Sequence, residues 1–249
     1  MDDSIEADNS LARVIAETTE LAGGLAHELR NPLSTILINL KLLAEDLQDL
    51  DVDPEQTRRR TLLRVDTLQG EAERLQILCD DFLNLTGPCR VQREPTDLNA
   101  LLARLVIFLE PLARQNDIRL EQRDPDAKII CQVDERRLSQ AVLNLLINAQ
   151  QAMPDGGLLR LSARRDGPGA IIEVSDSGAG ITPEHREQVL RPFFSTKVGG
   201  TGLGLSITRR IVEAHDGALT FESTVGRGTT FTIRIPCDAG DSPDASGES

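Results

Sequence analysis

Two long helical patterns in the first third of the chain constrain its fold more than any other feature. Between residues 8 and 50, apolar side chains recur at the spacing of one helix face, as at Leu25, Leu29 and Leu33. A second amphipathic stretch follows over residues 56–85, after the turn sequence DLDVDPE. Two long helices joined by a short loop predict an antiparallel hairpin. One hairpin cannot cover both apolar faces, so we expect two copies to pair as a four-helix bundle.

From about residue 95 the pattern changes to short strands alternating with helices. A helix capped by Asp97 is followed by two strands, the helix of DERRLSQAVLNLLINAQQAM and two further strands. A glycine-rich region over residues 178–204, one more helix and two closing strands complete the pattern. This order predicts an α+β sandwich of mixed sheet and helices. We therefore expect four regions, namely a leader (1–10), a helical domain (11–88), a second domain (95–236) and a disordered polar tail (237–249).

Composition excludes several classes of partner. The 249 residues carry a net charge of −13, and residues 1–88 hold 18 acidic against 8 basic side chains. Such a surface repels phosphate backbones, so nucleic acid is not an expected partner. No apolar run is long enough to span a membrane, and the acidic start lacks the features of a signal peptide.

The four cysteines show neither a CxxC pair nor the spacing of metal ligands. They are Cys79, Cys89, Cys131 and Cys237. This scatter is typical of reduced thiols, and we expect a cytoplasmic protein.

The segment LAHELRNPLSTI places His27 beside Glu28 and one turn before Asn31. A zinc site of the HExxH type needs a second histidine where Asn31 stands, so that interpretation fails. At about 100° per residue, His27 lies roughly 200° from Leu25 and Leu29 and points away from the apolar stripe. An exposed histidine with its own carboxylate is typical of a reactive group, and an ordinary surface histidine is the alternative.

Two features of the second half suit a bound ligand. Asn144 and Asn148 lie four residues apart on one helix face, where paired amides can coordinate Mg²⁺ through oxygen or contact phosphate. Asp176 follows an apolar strand in DSGAGI, where Gly178 and Gly180 allow a ligand to approach the backbone. Buried hydrogen-bonding amides and a plain turn are the respective alternatives.

A third feature is the glycine-rich segment FFSTKVGGTGLGLSI. Gly200, Gly202 and Gly204 precede a helix whose free N–H groups favour an anion, and Lys197 adds positive charge. The segment is not a Walker A loop, because the lysine does not follow the last glycine directly. It is not a Rossmann turn either, since no strand leads straight into it.

Taken in this order, the motifs resemble those of bacterial sensor histidine kinases of two-component systems over residues 12–236. HELRNPL is similar to the phosphoacceptor box, NLLINAQQA to the N box and DSGAGI to the first glycine box. RPFFSTK is similar to the phenylalanine box and GTGLGLSI to the second glycine box. The RNP after the His-Glu pair is most similar to nitrogen-regulation-type kinases. The resemblance implies a dimeric four-helix bundle followed by an ATP-binding α/β sandwich of the GHKL (Bergerat) type.

The resemblance also implies a reaction at the phosphoacceptor box. His27 would attack the γ-phosphate of ATP while Glu28 takes its proton. The phosphoryl group would then pass to an aspartate of a response regulator receiver domain. Asn31 would orient a water when the same surface catalyses dephosphorylation of that regulator.

The same resemblance implies the nucleotide contacts. Asn148 would bind Mg²⁺, Asn144 would contact phosphate, and Asp176 would bind the adenine amino group. Residues 181–199 would form a mobile lid. Further contacts to ATP are implied for Gly178, Gly180, Lys197, Gly200, Thr201, Gly202, Leu203 and Gly204.

Two alternatives remain at this point. A GHKL-type ATPase would share the fold but hydrolyse ATP, and it would need a glutamate where this chain has Asn144. A dimeric scaffold with an inactive nucleotide site is the other, and the complete set of motif residues argues against it. We expect no signal-binding segment before Leu11. His185 and His215 match no motif position, so we expect surface or capping roles for them.

Overall fold

The computed structural model describes residues 2–48, 54–123, 128–197 and 200–237. The chain divides into two compact units. The first contains Met1–Thr86 together with Ser195–Thr201, and the second contains Gly87–Phe194 and Gly202–Ser249. Among the described helices, none combines the length and the apolar composition that crossing a bilayer requires.

The first unit contains the predicted helical hairpin. Helix α1 spans Asp2–Gln48 and continues through Pro32, and helix α2 spans Pro54–Thr86. The loop between them lies outside the described residues. An ion pair of 2.8 Å joins Arg64 on α2 to Asp46 near the end of α1. Because later residues of α2 contact earlier residues of α1, the two helices run antiparallel.

The second unit contains seven strands and three α-helices among its described residues. The first elements are β1 (Glu94–Asp97), α3 (Leu98–Gln115), β2 (Ile118–Arg123), β3 (Ile130–Val133) and α4 (Glu135–Gln151). The remaining elements are β4 (Gly157–Asp166), β5 (Gly169–Asp176), a 3₁₀ turn (Pro183–His185), α5 (Gly204–Ala214), β6 (Ala218–Thr224) and β7 (Gly228–Pro236).

The strands form a mixed five-stranded sheet and a separate two-stranded sheet, as an α+β sandwich requires. The large sheet has the order β2-β4-β5-β7-β6, with β2 parallel to β4 and every other pair antiparallel. In β4 the buried residues Leu159, Leu161 and Ala163 alternate with more exposed ones, so one face of the sheet is covered. Helices α3, α4 and α5 pack on the strands and close the apolar core.

Side-chain caps fix where two of these helices begin. The carboxylate of Asp97 accepts a hydrogen bond of 3.0 Å from the N–H of Asn99, so the predicted cap of α3 is confirmed. Asp134 caps α4 by accepting from the N–H of Arg137 at 3.0 Å. Asp134 therefore fixes where the helix that carries Asn144 and Asn148 begins.

The prediction that all four cysteines are reduced is wrong for two of them. Cys131 in β3 and Cys237 after β7 form a disulfide, with Cα atoms 4.4 Å apart and 106 residues between them in the chain. Cys79 and Cys89 are free. The N–H of Cys237 donates to the carbonyl of Pro168, so this residue belongs to the folded unit and not to the predicted tail. The rest of that tail, residues 238–249, lies outside the described residues.

Candidate functional site

The phosphoacceptor box lies on α1 with its histidine exposed, as the helical phase predicts. His27 and Asn31 are both exposed. Glu28 is half-buried, and its Oε2 lies 4.0 Å from Nη2 of Arg74 on α2. Arg74 could not be located from the sequence, because nothing in α2 alone indicates which of its residues faces the histidine motif. The pair places a cation beside the carboxylate for which the resemblance implies the role of proton acceptor.

Both helices of the hairpin carry exposed apolar side chains in the single chain. On α1 they are Leu33, Leu37, Ile38, Leu40 and Leu47, and on α2 they are Leu62, Leu63, Ile77 and Leu83. Leu33 and Leu40 belong to the apolar stripe from which the sequence predicts pairing. Exposed apolar helix faces of this kind are typical of protein–protein interfaces.

In the second unit, Asn144 and Asn148 face the start of α5. Nδ2 of Asn144 donates to the carbonyl of Gly204 at 3.2 Å. A Cβ atom added to Gly204 would lie 3.8 Å from Cγ of Asn144 and 4.0 Å from Nδ2 of Asn148. The packing of α4 on α5 therefore brings together two of the motifs that the sequence singled out. Both amides are half-buried and converge on the first residue of a helix.

The carboxylate of Asp176 is held at the end of β5. Its side chain is buried, and Oδ1 accepts hydrogen bonds from the N–H of Gly178 at 2.8 Å and of Thr229 at 3.2 Å. Two backbone donors fix the orientation of the carboxylate. Thr229 on β7 is a contact that the sequence did not reveal, since the pairing of β5 with β7 brings it close.

The glycines after Asp176 are required by the protein's own backbone. A Cβ atom at Gly178 would lie 2.5 Å from the carbonyl oxygen of Ala152, just after α4. Gly180 has a φ of 73°, and a Cβ atom there would overlap the carbonyl of Thr224. These two glycines allow the loop after β5 to pack closely on α4 and β6.

The second glycine box leads directly into α5. Gly202 has a φ of 66°, and a Cβ atom there would lie 2.5 Å from the backbone carbon of Phe193. Leu203 is buried and occupies the N-cap position, where its side chain has no oxygen to accept from the first N–H groups of α5. The start of α5 therefore presents uncapped backbone donors of the kind that bind anions.

The remaining predicted nucleotide contacts lie in the segment Ser195–Thr201, which groups with the first unit. Within it, Oγ of Ser195 accepts from the N–H of Lys197 at 3.1 Å, and Gly200 donates to the carbonyl of Lys197 at 3.3 Å. Roles for Lys197, Gly200 and Thr201 toward a nucleotide stay predictions. The end of the predicted lid, residues 198 and 199, lies outside the described residues.

Two known protein families match this chain, one over the helical hairpin and the other over most of the second unit. Residues 17–86 match the family described as the His Kinase A (phospho-acceptor) domain. Residues 133–239 match the family described as Histidine kinase-, DNA gyrase B-, and HSP90-like ATPase. His27 falls in the first match, and the asparagine pair, Asp176 and the start of α5 fall in the second.

Individual proteins agree with these matches. The sensor histidine kinase ZraS of Escherichia coli (strain K12) is 36% identical over 216 residues, which cover 87% of this chain and 45% of that protein. The chain spans about half the length of the first curated relatives it matches.

Solved structures extend the agreement to the fold. The mycobacterial sensor histidine kinase MprB is 32% identical with a TM-score of 0.51, over 59% of this chain and 99% of that chain. The crystal structure of full-length ShkA in complex with AMPPNP is 27% identical with a TM-score of 0.66, over 90% of this chain and 47% of that chain.

Proposed function

Because this chain belongs to the family of two-component sensor histidine kinases, we propose that it transfers the γ-phosphoryl group of ATP to His27 and then to an aspartate of a response regulator. The observation that carries the proposal is the exposed imidazole beside a half-buried carboxylate on α1. The convergence of Asn144 and Asn148 on Gly204 supports ATP as the donor, since amides and helix N–H groups suit phosphates.

The first step forms a bond between a ring nitrogen of His27 and the γ-phosphorus while the bond to the ADP oxygen breaks. A neutral imidazole is nucleophilic near pH 7. Its ring proton passes to Glu28, which is the adjacent carboxylate on α1. Arg74 lies at the limit of ion-pair distance from Glu28 and places a positive charge near the carboxylate. The product is a phosphoramidate on an exposed side chain, which a receiver domain can reach.

Nucleotide recognition is assigned to the asparagine pair, the two glycine boxes and Lys197. Asp176 accepts from the exocyclic amine of adenine, and its fixed Oδ1 leaves the carboxylate in one orientation. The phosphates bind at the start of α5, with Asn144 beside them. Further contacts come from Gly178, Gly180, Lys197, Gly200, Thr201, Gly202, Leu203 and Gly204.

Mg²⁺ fits the chemistry of these donors. The amide oxygen of Asn148 is a hard ligand of the kind that Mg²⁺ accepts, and this ion is commonly shared between few protein ligands and substrate phosphates. Among the described residues, no group of three or more His, Cys, Asp or Glu side chains could hold a metal ion. Mg²⁺ would therefore depend on the substrate phosphates as well as on Asn148. When bound, the ion would neutralise phosphate charge.

The proposal extends to the dephosphorylation of the regulator. Asn31 lies one turn after His27 at roughly 40° on the same helix face, and both side chains are exposed. An amide cannot act as a general base, but it can orient a water by hydrogen bonds.

The proposal also covers location, subfamily and assembly. Use of ATP suits an activity in the cytoplasm, and the RNP sequence suits a nitrogen-regulation-type kinase. The exposed apolar faces of α1 and α2 support a homodimer.

Phosphotransfer from labelled protein to receiver domains tests the proposed function. We expect protein incubated with Mg²⁺ and γ-labelled ATP, then freed of nucleotide, to pass its label to at least one receiver domain of a panel. Asn31→Ala should transfer the label and then slow its release from that receiver. Release of free phosphate from ATP with no labelled protein would favour the hydrolysing ATPase instead. Label that no receiver accepts would contradict the second step.

A further inference from the structure

The residues between α2 and β1 are tied to the second unit by polar contacts at both ends of the segment. We call residues 87–93 the connecting segment. At its start, the guanidinium of Arg210 on α5 donates to the carbonyl of Gly87. At its end, Nη2 of Arg93 donates to the carbonyl of Ala214 at 3.1 Å and pairs with Asp216 at 2.5 Å. All of these residues belong to the second unit.

A third tie runs through two buried polar side chains. The N–H of Gln92 donates to Oδ2 of Asp134 at 3.0 Å, while Oδ1 of the same carboxylate caps α4. The N–H of Asp134 donates to Nε2 of His215 at 2.9 Å, and Nδ1 of His215 lies 2.8 Å from the carbonyl of Ile211. Because Nε2 accepts, the ring proton sits on Nδ1 and donates to that carbonyl. His215 therefore has the capping role that the sequence predicts, but it is buried.

These contacts involve the two helices that build the nucleotide site. Helix α5 starts at Gly204, opposite the asparagine pair, and its other end carries the contacts of Arg93. Helix α4 starts at the Asp134 cap and carries Asn148 near its opposite end. Helices of 11 and 17 residues are about 16 and 26 Å long, so each links the connecting segment to the nucleotide site as one rigid element.

The positive charge of Arg93 lies at the C-terminal end of α5. Ala214 is the last residue of α5, and its carbonyl is among those that no turn of the helix satisfies. Arg93 supplies a donor and a positive charge at this negative end of the helix dipole. Asp216, with a φ of 57°, follows the helix end and gives the same guanidinium a carboxylate partner.

We propose that Arg93 and Arg210 are positioning residues for phosphoryl transfer to His27, which they serve by anchoring the connecting segment on α5. Residues 87–93 are the part of the chain through which α2 continues into the nucleotide-binding unit. A loosened anchor leaves the nucleotide site intact but frees the segment that joins the phosphoacceptor hairpin to the nucleotide-binding unit. Misplacement by about 1 Å can slow a reaction by about a hundredfold, so the rate is sensitive to the anchor. The inference rests on the proposed kinase activity.

The test compares three arginine variants of the full chain. We expect Arg93→Met and Arg210→Met to lower the rate of His27 labelling at saturating ATP by about tenfold or more, with the Kd for AMPPNP changed less than about twofold. Arg209→Met is the matched control, because Arg209 pairs with Glu213 on the same helix, and it should change neither quantity. Arg93→Lys, which keeps the charge but not the two-point contact, should recover part of the rate.

Hydrogen exchange separates this inference from the proposed kinase activity. In Arg93→Met we expect faster exchange at the amide of Gln92, whether or not the protein is labelled by ATP. Absence of labelling in the unaltered protein would overturn the proposed function, and unchanged exchange would then overturn the anchor. Labelling of Arg93→Met at the unaltered rate, or a Kd that rises in proportion to the loss of rate, would overturn the positioning role.

Discussion

Gly204 and Gly178 lack a side chain for different physical reasons, and alanine at each position separates those reasons. The added methyl of Gly204→Ala meets Asn144 and Asn148 at ordinary van der Waals distance, so the fold should tolerate it. It occupies the space between the two amides and the start of α5, so the Kd for AMPPNP should rise by about tenfold. Isothermal titration with AMPPNP measures this, and an unchanged Kd would contradict a ligand site at Gly204.

Gly178→Ala serves as the comparison. Its methyl would overlap the carbonyl of Ala152, so we expect a loss of about 1–3 kcal/mol in the free energy of unfolding. Urea denaturation measures this loss, which Gly204→Ala should not show.

Some single residues could be located from sequence and others could not. The rotation of His27 follows from the 3.6-residue period of its own helix, and the Asp97 cap follows from the residue type at a helix start. Arg74 and Thr229 contact Glu28 and Asp176 from other elements. Such contacts depend on how distant parts of the chain pack, which residue spacing does not encode.

At the scale of elements, the Asp134 cap of α4 makes the free energy of unfolding depend on pH with a definite sign. Burial alone would raise the pKa of Asp134, but hydrogen bonds from the amides of Gln92 and Arg137, with Arg136 nearby, hold it below its ordinary value of 3.8. A carboxylate of this kind stabilises the fold above its ordinary pKa, and the contribution is lost as the pH falls through the folded-state pKa.

Asp134→Asn keeps an acceptor at the helix cap but cannot titrate. Its free energy of unfolding should therefore fall less than that of the unaltered protein between pH values of about 5 and about 2. Urea denaturation at the two pH values measures the difference. An identical pH dependence in both proteins would show that Asp134 does not stabilise the fold through its charge.

The disulfide joins two elements that are far apart in the chain. Cys131 and Cys237 close a loop with a sequence separation of 106, and closure of a loop of about this size stabilises a fold by about 4–5 kcal/mol in the chain-entropy account. Cys237→Ala should lower the urea midpoint under oxidising conditions, and a reductant should remove most of the difference. Cys79→Ala, at an exposed free cysteine, is the control and should not change the midpoint. Equal midpoints for all three oxidised proteins would contradict the bond.

Most elements were predictable because each carries a period of its own. In the strand Gly228–Pro236, for example, Phe231, Ile233 and Ile235 alternate with polar residues. Strand β1 was missed, because EPTD has no alternation of apolar residues and forms a strand only by pairing with β3. Helix α5 starts at Gly204 and no earlier, since Gly202 adopts a positive φ that no helix contains.

At the scale of the whole molecule, the exposed apolar faces of α1 and α2 predict a dimer held by the first unit. Leu37 is 66% exposed in the single chain, so Leu37→Glu should give a monomer. Ile107 on α3 is 70% exposed, and Ile107→Glu should remain a dimer because that residue lies in the second unit. Sedimentation at micromolar concentration measures the mass. A monomeric unaltered protein, or monomers from both variants, would contradict a dimer held by this hairpin.

The central claim is that one histidine of this chain carries the phosphoryl group, and phosphorus NMR tests it most directly. Protein treated with Mg²⁺-ATP and freed of nucleotide should show one phosphoramidate resonance per chain. The resonance should be absent from His27→Gln and retained in His185→Gln, which alters a half-buried histidine that lies against Phe194 and itself matches no motif position. A phosphoramidate resonance of undiminished intensity in His27→Gln would contradict the account.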